Sequence, residues 1–310
     1  MVSIIVVSFN TRDMTLECLR SIRRETPDTS FEVLFIDNCS TDGSFEAVSE
    51  EFGHDSRFVL ESSNENLGFA GANNHMARIA KGRFLLLLNP DTVVLDRAIE
   101  KLVEFAEQFP DNGVWGGRTL FEDGTLNATS SWGWYGIWTQ ACYTFGLSYL
   151  FPGIKIFNYR AYPGWDRTGI REVGIVTGCF FLITRDLWDK LEGFDPEFFM
   201  YGEEADLCQR SRQFGAKPIV SGEPTIVHHT GASETNQVGK MTKLLDGEVR
   251  LLRRHASGFR FPLHLLLIKM RILIRATADL VRGRSDGCWI SLWRQRRTWL
   301  RGRRAEVRAS

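Results

Sequence analysis

Residues 83–92 read RFLLLLNPDT, and the abrupt stop of the apolar run at Asn89-Pro90-Asp91 decides how the chain folds. Five large apolar residues, Phe84 to Leu88, are too few to span a bilayer and read as a strand buried on both faces. Such strands belong to parallel sheets covered by helices. Pro90 has no backbone donor for a ladder, so the strand ends near Asn89 and Asp91 falls on the loop at its carboxyl end. In open α/β sheets that edge is where ligands bind. A carboxylate there can equally cap the following helix, VLDRAIEKLVEFAEQF, a job that Asp96 could also do. Taken alone, the stretch leaves both readings open.

The rest of the chain repeats the pattern. Strand-like runs at Val2–Ser8, Glu32–Ile36, Arg57–Glu61 and Phe84–Leu88 alternate with helix-like segments at Met14–Arg24, Ser44–Phe52 and Ala70–Ala80. This alternation predicts a doubly wound parallel sheet. IVTGCFFLITRDLWDKL adds a strand and a helix, KPIVS and TIVHH read as two later short strands, and the sheet runs to about residue 230. Residues 129–165, rich in Trp, Tyr and Phe without a clear period, form an insertion read as a long functional loop or a short helical hairpin.

With 310 residues, 43% of them hydrophobic, the chain can bury the core of one large domain plus an appendage. Its formal net charge of +0 conceals an asymmetry. Of 38 Lys+Arg and 38 Asp+Glu, 16 and 3 lie in residues 250–310, leaving 22 and 35 in residues 1–249. An acidic body is thus joined to a basic tail. The acidic body would repel phosphates, which argues against a nucleic-acid partner. The six cysteines form no CxxC pair or compact framework and are expected to be reduced thiols of a cytosolic protein. MVSIIVVSFN reads as a first strand rather than a signal peptide, and no transmembrane helix is expected.

Several strand ends carry candidate chemistry. VVSFNTRD sets Phe9, Asn10 and Thr11 at a tip where a turn can receive a flat ring. FIDNCSTDGS sets Asp37 and Asn38 at the next tip, before a turn in which Ser40, Thr41 or Asp42 caps a helix. Asp37 precedes the cap, and a carboxylate there can accept the N3–H of a pyrimidine base. ENLGFAGANN, with Asn66 and Gly68, supplies glycines for close backbone approach and a helix amino end that favours anions. Asp91, with His228 or His229 as partner, can hold Mg²⁺ or Mn²⁺, hard ions that bridge to substrate phosphates. In FDPEFFMYGEEADLCQR, Glu203 and Glu204 open a helix. They either stabilise its dipole or supply a general base, and being successive they point in different directions.

Together, SIIVVSFN, IDNCSTDGS, NENLGFAGANN, LLLLNPDT, TGCFFLITRDLWDKLEGFDPEFFMYGEEADLCQR and VHHTGAS resemble family 2 glycosyltransferases, the inverting GT-A class, and among them the rhamnosyltransferase-like branch. The resemblance covers about residues 2–233. It implies a GT-A (Rossmann-like) doubly wound mixed sheet in residues 1–233, followed by a basic helical extension in residues 234–310. It further implies a nucleotide-sugar site drawn from Phe9, Asn10, Asp37, Asn38, Asn66, Gly68, Asn89 and Asp91, with Asp37 reading a pyrimidine base. Asp91 takes the last position of the metal-binding DxD motif, and His228 the metal-associated position of an HxxGxS-like ending. The ED pair before DLCxR matches Glu203 and Glu204 and puts the base at Glu204. Two positions depart from the pattern: Asn89 stands at the first carboxylate of DxD, and Glu204 where Asp is usual. The implied reaction is inverting transfer of a sugar, such as rhamnose from dTDP-rhamnose, onto a glycan or polyprenyl-linked acceptor. The competing reading, motivated by Asn89, is a non-catalytic nucleotide-sugar-binding subunit of a glycan assembly complex.

In residues 260–282, RFPLHLLLIKMRILIRATADLVR, His264, Arg271, Arg275 and Arg282 recur at helical spacing opposite a mainly Leu, Ile and Met surface. Further on, Trp289, Trp293 and Trp299 are interleaved with Arg294, Arg296, Arg297 and Arg301. One expectation is an interfacial helix with cations toward anionic headgroups on the inner face of the cell membrane. The other is a helical pair packed on the catalytic domain or on a second copy in a homo-oligomer.

Overall fold

The protein is described here by a computed structural model over residues 1–229 and 236–301. Its strands are β1 (Val2–Ser8), β2 (Phe31–Asp37), β3 (Phe58–Ser62), β4 (Phe84–Leu88), β5 (Thr92–Val94), β6 (Val114–Leu120), β7 (Leu126–Asn127), β8 (Ser131–Trp132), β9 (Ile170–Glu172), β10 (Ile175–Val176), β11 (Phe180–Thr184) and β12 (Ile219–His228). Its helices are α1 (Arg12–Glu25), α2 (Ser44–Phe52), α3 (Gly68–Ala77), α4 (Ala98–Gln108), α5 (Ile137–Thr144), α6 (Leu147–Leu150), α7 (Lys155–Asn158), α8 (Arg185–Lys190), α9 (Glu203–Ser211), α10 (Gln237–His255), α11 (Arg260–Val281), α12 (Cys288–Arg294) and α13 (Arg296–Arg301). The described residues separate into two compact units, one of residues 1–132, 165–199 and 204–229, the other of residues 133–164, 200–203 and 236–301.

The first unit is built on one sheet in the order β3-β2-β1-β4-β11-β6-β12-β5, with β7 beside β6 and β9 beside β12. Every residue of β1, β2 and β4 is buried. The continuous apolar runs therefore serve two faces at once, each fully buried Val, Leu or Ile contributing ~1.5–3 kcal/mol. Leu19, Ile22, Leu102 and Phe105 of α1 and α4 belong to the same core as Val33, Phe35 and Leu86 of the sheet. β3, β2, β1 and β4 are parallel. β11 then enters antiparallel to both β4 and β6, which makes the sheet mixed. KPIVS and TIVHH are not two strands but one, β12, whose register against β6 shifts between Val220 and Thr225. Pro224 lies inside that irregular stretch, where a missing backbone donor breaks no regular ladder.

Register fixes what lies at the sheet's carboxyl edge. Ser8 pairs with Asp37, and Val6 pairs with Leu88. Hence Phe9-Asn10, Asp37-Asn38 and Asn89-Asp91 leave neighbouring strands at the same level.

In the second unit the aromatic insertion is helical, α5 to α7. Leu245, Val249, Leu252, Ile268, Ile272, Leu292 and Trp299 form this unit's core, with Trp289 and Trp293 packed against it. Trp299 is fully buried and donates its indole N–H to the Leu292 carbonyl at 2.9 Å. Three of the four cationic positions of α11, His264, Arg271 and Arg275, also turn inward, against the outward orientation expected from their spacing, while Arg282 just past its end stays exposed. His264 is buried. Arg271 pairs with Glu248 of α10 at 2.6 Å, with side chains 14% and 11% exposed. Arg275 stacks between the rings of Tyr149 and Trp289, 5.1 and 4.5 Å from their centroids. These side chains complete a helical assembly, so the tail's tryptophans and several of its arginines act within the protein. No described helix is long and apolar enough to cross a membrane.

Candidate active site

The turn after β2 is built around two carboxylates with different duties. Asp42 accepts from the backbone N–H of Arg12 at 2.9 Å and of Ser44 at 3.1 Å, tying the start of α1 to the start of α2. Ser40 Oγ accepts from Asn10 N–H at 2.9 Å, and Asn10 Oδ1 accepts from Thr41 N–H at 2.8 Å. Asn10 has φ 53°, a left-handed conformation that asparagine tolerates better than most residues. Its side chain thus braces the turn and leaves Phe9, 37% exposed, at the sheet edge. Asp37 is only 3% exposed. One of its oxygens, Oδ2, accepts from Ser40 N–H at 2.9 Å, while Oδ1 is buried with no hydrogen-bond partner. An unsatisfied buried carboxylate oxygen costs free energy unless a ligand donates to it.

Asn38 and Asn66 brace the loop that leads into Gly68. Asn38 Nδ2 donates to Asn66 Oδ1 at 3.0 Å, Asn38 Oδ1 accepts from Leu67 N–H at 2.8 Å, and Asn66 Oδ1 accepts from Gly68 N–H at 2.9 Å. Gly68 has φ 72°, and a Cβ there would sit 2.3 Å from the Phe199 carbonyl oxygen. These residues shape the loop before α3, and close backbone packing on Phe199 explains the glycine.

The β4 loop brings Asp91 to His228. Asp91 Oδ1 lies 3.3 Å from His228 Nε2, with side chains 12% and 11% exposed. The antiparallel pairing of His228 with Thr92 places them. His229, on the other side of the strand, turns its ring to Glu122 and uses its backbone N–H on the Asp91 carbonyl at 3.0 Å. Period-2 alternation therefore selects His228. Burial lowers the His228 pKa, but the Cys179 sulfur and the Asp91 carboxylate outweigh it and raise it to about 10. His228 Nδ1 is buried with no hydrogen-bond partner. Asn89 is fixed through its backbone, donating to the Cys179 carbonyl at 3.2 Å and accepting from Thr92 Oγ1 at 2.7 Å. Neither Asp91 nor Asp96 caps α4, which has no side-chain cap. Gly231 and Ser233 of the HxxGxS-like ending lie outside the described residues.

Among the described residues no three His, Cys, Asp or Glu side chains cluster to hold a metal by themselves. Two donors 3.3 Å apart nevertheless approximate one edge of an octahedron, roughly 3.0 Å for ligands at ~2.1 Å. The pair suits a hard divalent ion that takes its other ligands from water and phosphate oxygens.

Glu203 and Glu204 occupy the first turn of α9. Glu203 is buried and Glu204 is half-buried, as expected for successive residues about 100° apart on a helix. Asp206 is held by Arg210 at 2.6 Å, whose other nitrogens donate to the Leu191 and Gly193 carbonyls. That clamp fixes the helix start. Cys208 is fully buried, which raises its thiol pKa to about 12 and leaves it inert.

The sequence profile described as "Glycosyl transferase family 2" matches residues 3–191. The chain belongs to this family. Among similar proteins, the O-antigen biosynthesis protein RfbC of Myxococcus xanthus is 29% identical over 233 residues, which are 75% of this chain and 17% of that protein. The chain therefore spans about a sixth of the length of that relative. The N-acetylglucosaminyl-diphospho-decaprenol L-rhamnosyltransferase of Mycobacterium tuberculosis is 22% identical over 280 residues, with 79% of this chain and 84% of that protein covered. In fold, this glycosyltransferase is similar to the mannosyltransferase PcManGT of Pyrobaculum calidifontis, solved in complex with GDP-Man and Mn²⁺. The TM-score is 0.59 at 16% identity, covering 97% of this chain and 83% of that one. The fold is GT-A, in agreement with the mixed sheet expected from the sequence.

The sequence motifs did not single out Ser40, Thr92, Cys179 or Phe199 as supports of the site. Three of them act through a backbone group or a short hydroxyl contact, for which no residue type is diagnostic.

Proposed function

We propose that this glycosyltransferase inverts the anomeric configuration as it transfers a sugar, rhamnose from dTDP-rhamnose in the leading version, onto a polyprenyl-diphosphate-linked acceptor in cell-envelope glycan synthesis. The observation that carries the donor side is the buried, unpartnered Oδ1 of Asp37 at the end of β2, an acceptor matched to the N3–H of a thymine or uracil ring. Phe9, beside it and partly exposed, offers a face to the same ring. Support for rhamnose and for the lipid-linked acceptor comes from the name of the mycobacterial relative, and for O-antigen-type glycans from that of the Myxococcus relative.

Asp91 and His228 would hold Mg²⁺ or Mn²⁺, which supplies Lewis-acid charge for the departing diphosphate. Asn89, in place of a carboxylate, leaves this site one negative charge short of the usual DxD pattern. Glu204 takes the proton from the acceptor hydroxyl, the more accessible of the two adjacent carboxylates being the better placed to meet a substrate. Glu203 is the second candidate for that role. A cytoplasmic location against the inner face of the membrane accords with a polyprenyl-linked acceptor.

The test is thermal unfolding of the protein with dTDP-rhamnose, UDP-glucose or GDP-mannose, each with and without Mn²⁺. A ligand at 100 times its Kd stabilises by ~2.7 kcal/mol. Stabilisation confined to thymidine and uridine nucleotides supports the reading, and equal stabilisation by GDP-mannose would remove Asp37 as the base reader.

A further inference from the structure

The second unit carries a surface that neither its own core nor the proposed chemistry uses. An open groove of ≈ 700 Å³ lies between the α5–α6 corner, the end of α11 and the start of α12. Its walls include Phe145, Tyr149 and Ile274, and its charges are Arg275, Arg282, Arg284 and Asp279. Asp279 is turned against the backbone of Gly287, where a Cβ would sit 2.4 Å from its Oδ2. Arg282 and Arg284 are exposed, and neither forms an ion pair among the described residues. Arg275 is held between two rings, leaving a groove with more cation than anion.

The surface continues beyond the groove. Residues 145–156, FGLSYLFPGIKI, contain no acid and a single Lys. Within them Phe145, Tyr149, Leu150 and Ile156 are 54%, 66%, 70% and 61% exposed. So many large apolar side chains in one short segment are an interaction surface rather than ordinary scatter.

We propose that this face of the second unit docks on an anionic phospholipid bilayer, with headgroup phosphates against Arg282 and Arg284 and residues 145–156 entering the acyl boundary. The inference deepens the membrane reading given under Proposed function by naming the surface, and of the cationic face of α11 it keeps only the exposed Arg282, because His264, Arg271 and Arg275 are turned inward. Cations directly beside exposed apolar and aromatic side chains match the two layers of a lipid surface, charge above and hydrocarbon below. A second copy of the chain fits less well. Pairing two such faces would gather the arginines of both copies against only one buried Asp279 each.

The experiment is flotation of the full chain with vesicles of phosphatidylglycerol and phosphatidylcholine, and with phosphatidylcholine alone. The parent protein should float only with the anionic vesicles. Each arginine near such a surface contributes roughly five-fold, so Arg282→Gln with Arg284→Gln should lower the partition coefficient roughly 30-fold. Leu150→Ser with Ile156→Ser should also lower it, and because these side chains are exposed the variants should keep the parent circular dichroism and nucleotide-dependent melting shift. If the parent floats and both variants float equally well, this face is wrong while the membrane reading stands. If the parent floats with no vesicle, the membrane reading falls and this inference with it. A dimer in sedimentation velocity that Leu150→Ser dissolves would assign the face to a second copy instead.

Discussion

Asp37→Asn separates the fold's needs from the ligand's at a single residue. In the parent, Oδ2 accepts from Ser40 N–H at 2.9 Å, and Oδ1 is buried without a partner. Ser40 N–H orients the asparagine, because only its carbonyl oxygen can accept that bond. The new NH₂ then takes the place of Oδ1. Toward a pyrimidine N3–H it is donor against donor, and the lost charged hydrogen bond alone is worth ~1.5–3 kcal/mol, roughly a 10–150-fold rise in Kd. Without ligand the balance reverses. A desolvated carboxylate with one unsatisfied oxygen becomes a neutral amide of the same size, so the unliganded melting temperature should stay level or rise. Isothermal titration with dTDP and UDP measures the first effect, and a thermal melt without nucleotide the second. N3-methylated dTDP provides the control, because it has no N3–H and should bind parent and variant alike. An unchanged Kd for dTDP, or an equal loss with the N3-methylated nucleotide, would refute the assignment of Asp37 to the base.

Glu204→Gln should leave donor-dependent melting intact while lowering sugar transfer ~10²–10⁴-fold, and Glu203→Gln should not; a collapse only at Glu203 would move the base by one residue. Mn²⁺ binding at Asp91 and His228 needs a neutral imidazole, and the ring's pKa is raised to about 10. Below that pH the ion must displace a proton, so its affinity should rise roughly ten-fold per pH unit on going up from pH 6, as an electron paramagnetic resonance titration would show. A pH-independent affinity would exclude His228 as a ligand. Arg271→Ala removes one partner of the pair with Glu248 and should cost roughly 3 kcal/mol in urea unfolding without releasing the protein from anionic vesicles. Loss of vesicle binding at unchanged stability would restore the outward orientation of that face.

The sheet was readable wherever one residue pattern served a single purpose. Phe84–Leu88 has the boundaries that its apolar run and Pro90 imply, because an unbroken apolar run fills both buried faces and proline ends the strand. β12 was harder. Gly222 and Pro224 look like a break between two strands, and only the neighbouring β6 carries the ladder across the shift. The site divides in the same way. Asp37 and Asp91 stand out because a carboxylate just past an apolar strand has no reason in the core. Asn38, Asn66 and Gly68 occupy equally suggestive positions, and in the structure they also brace one another. An amide that braces a loop and one that binds a ligand are the same residue type, and their partners lie about thirty residues away.

The tail shows how far helical periodicity reaches. Spacing correctly groups His264, Arg271 and Arg275 on one side of α11, because the 3.6-residue repeat is a local property. What covers that side is not local. Glu248 comes from α10, Tyr149 from the aromatic insertion and Trp289 from α12. An amphipathic helix with a cationic stripe has two stable solutions: stripe toward water and headgroups, or stripe toward acids and aromatic rings of its own chain. The second requires partners able to satisfy the cations, and α10, α12 and the aromatic insertion supply them for Arg271 and Arg275. Once the charges are used internally, the apolar side of α11 must meet something else, and Leu273, Ile274 and Leu280 are left exposed on it. Ile274 lines the groove that also contains Phe145 and Tyr149. The same inward turn that takes Arg271 and Arg275 away from any membrane therefore creates the apolar surface, with exposed Arg282 beside it, for which a bilayer is the proposed partner.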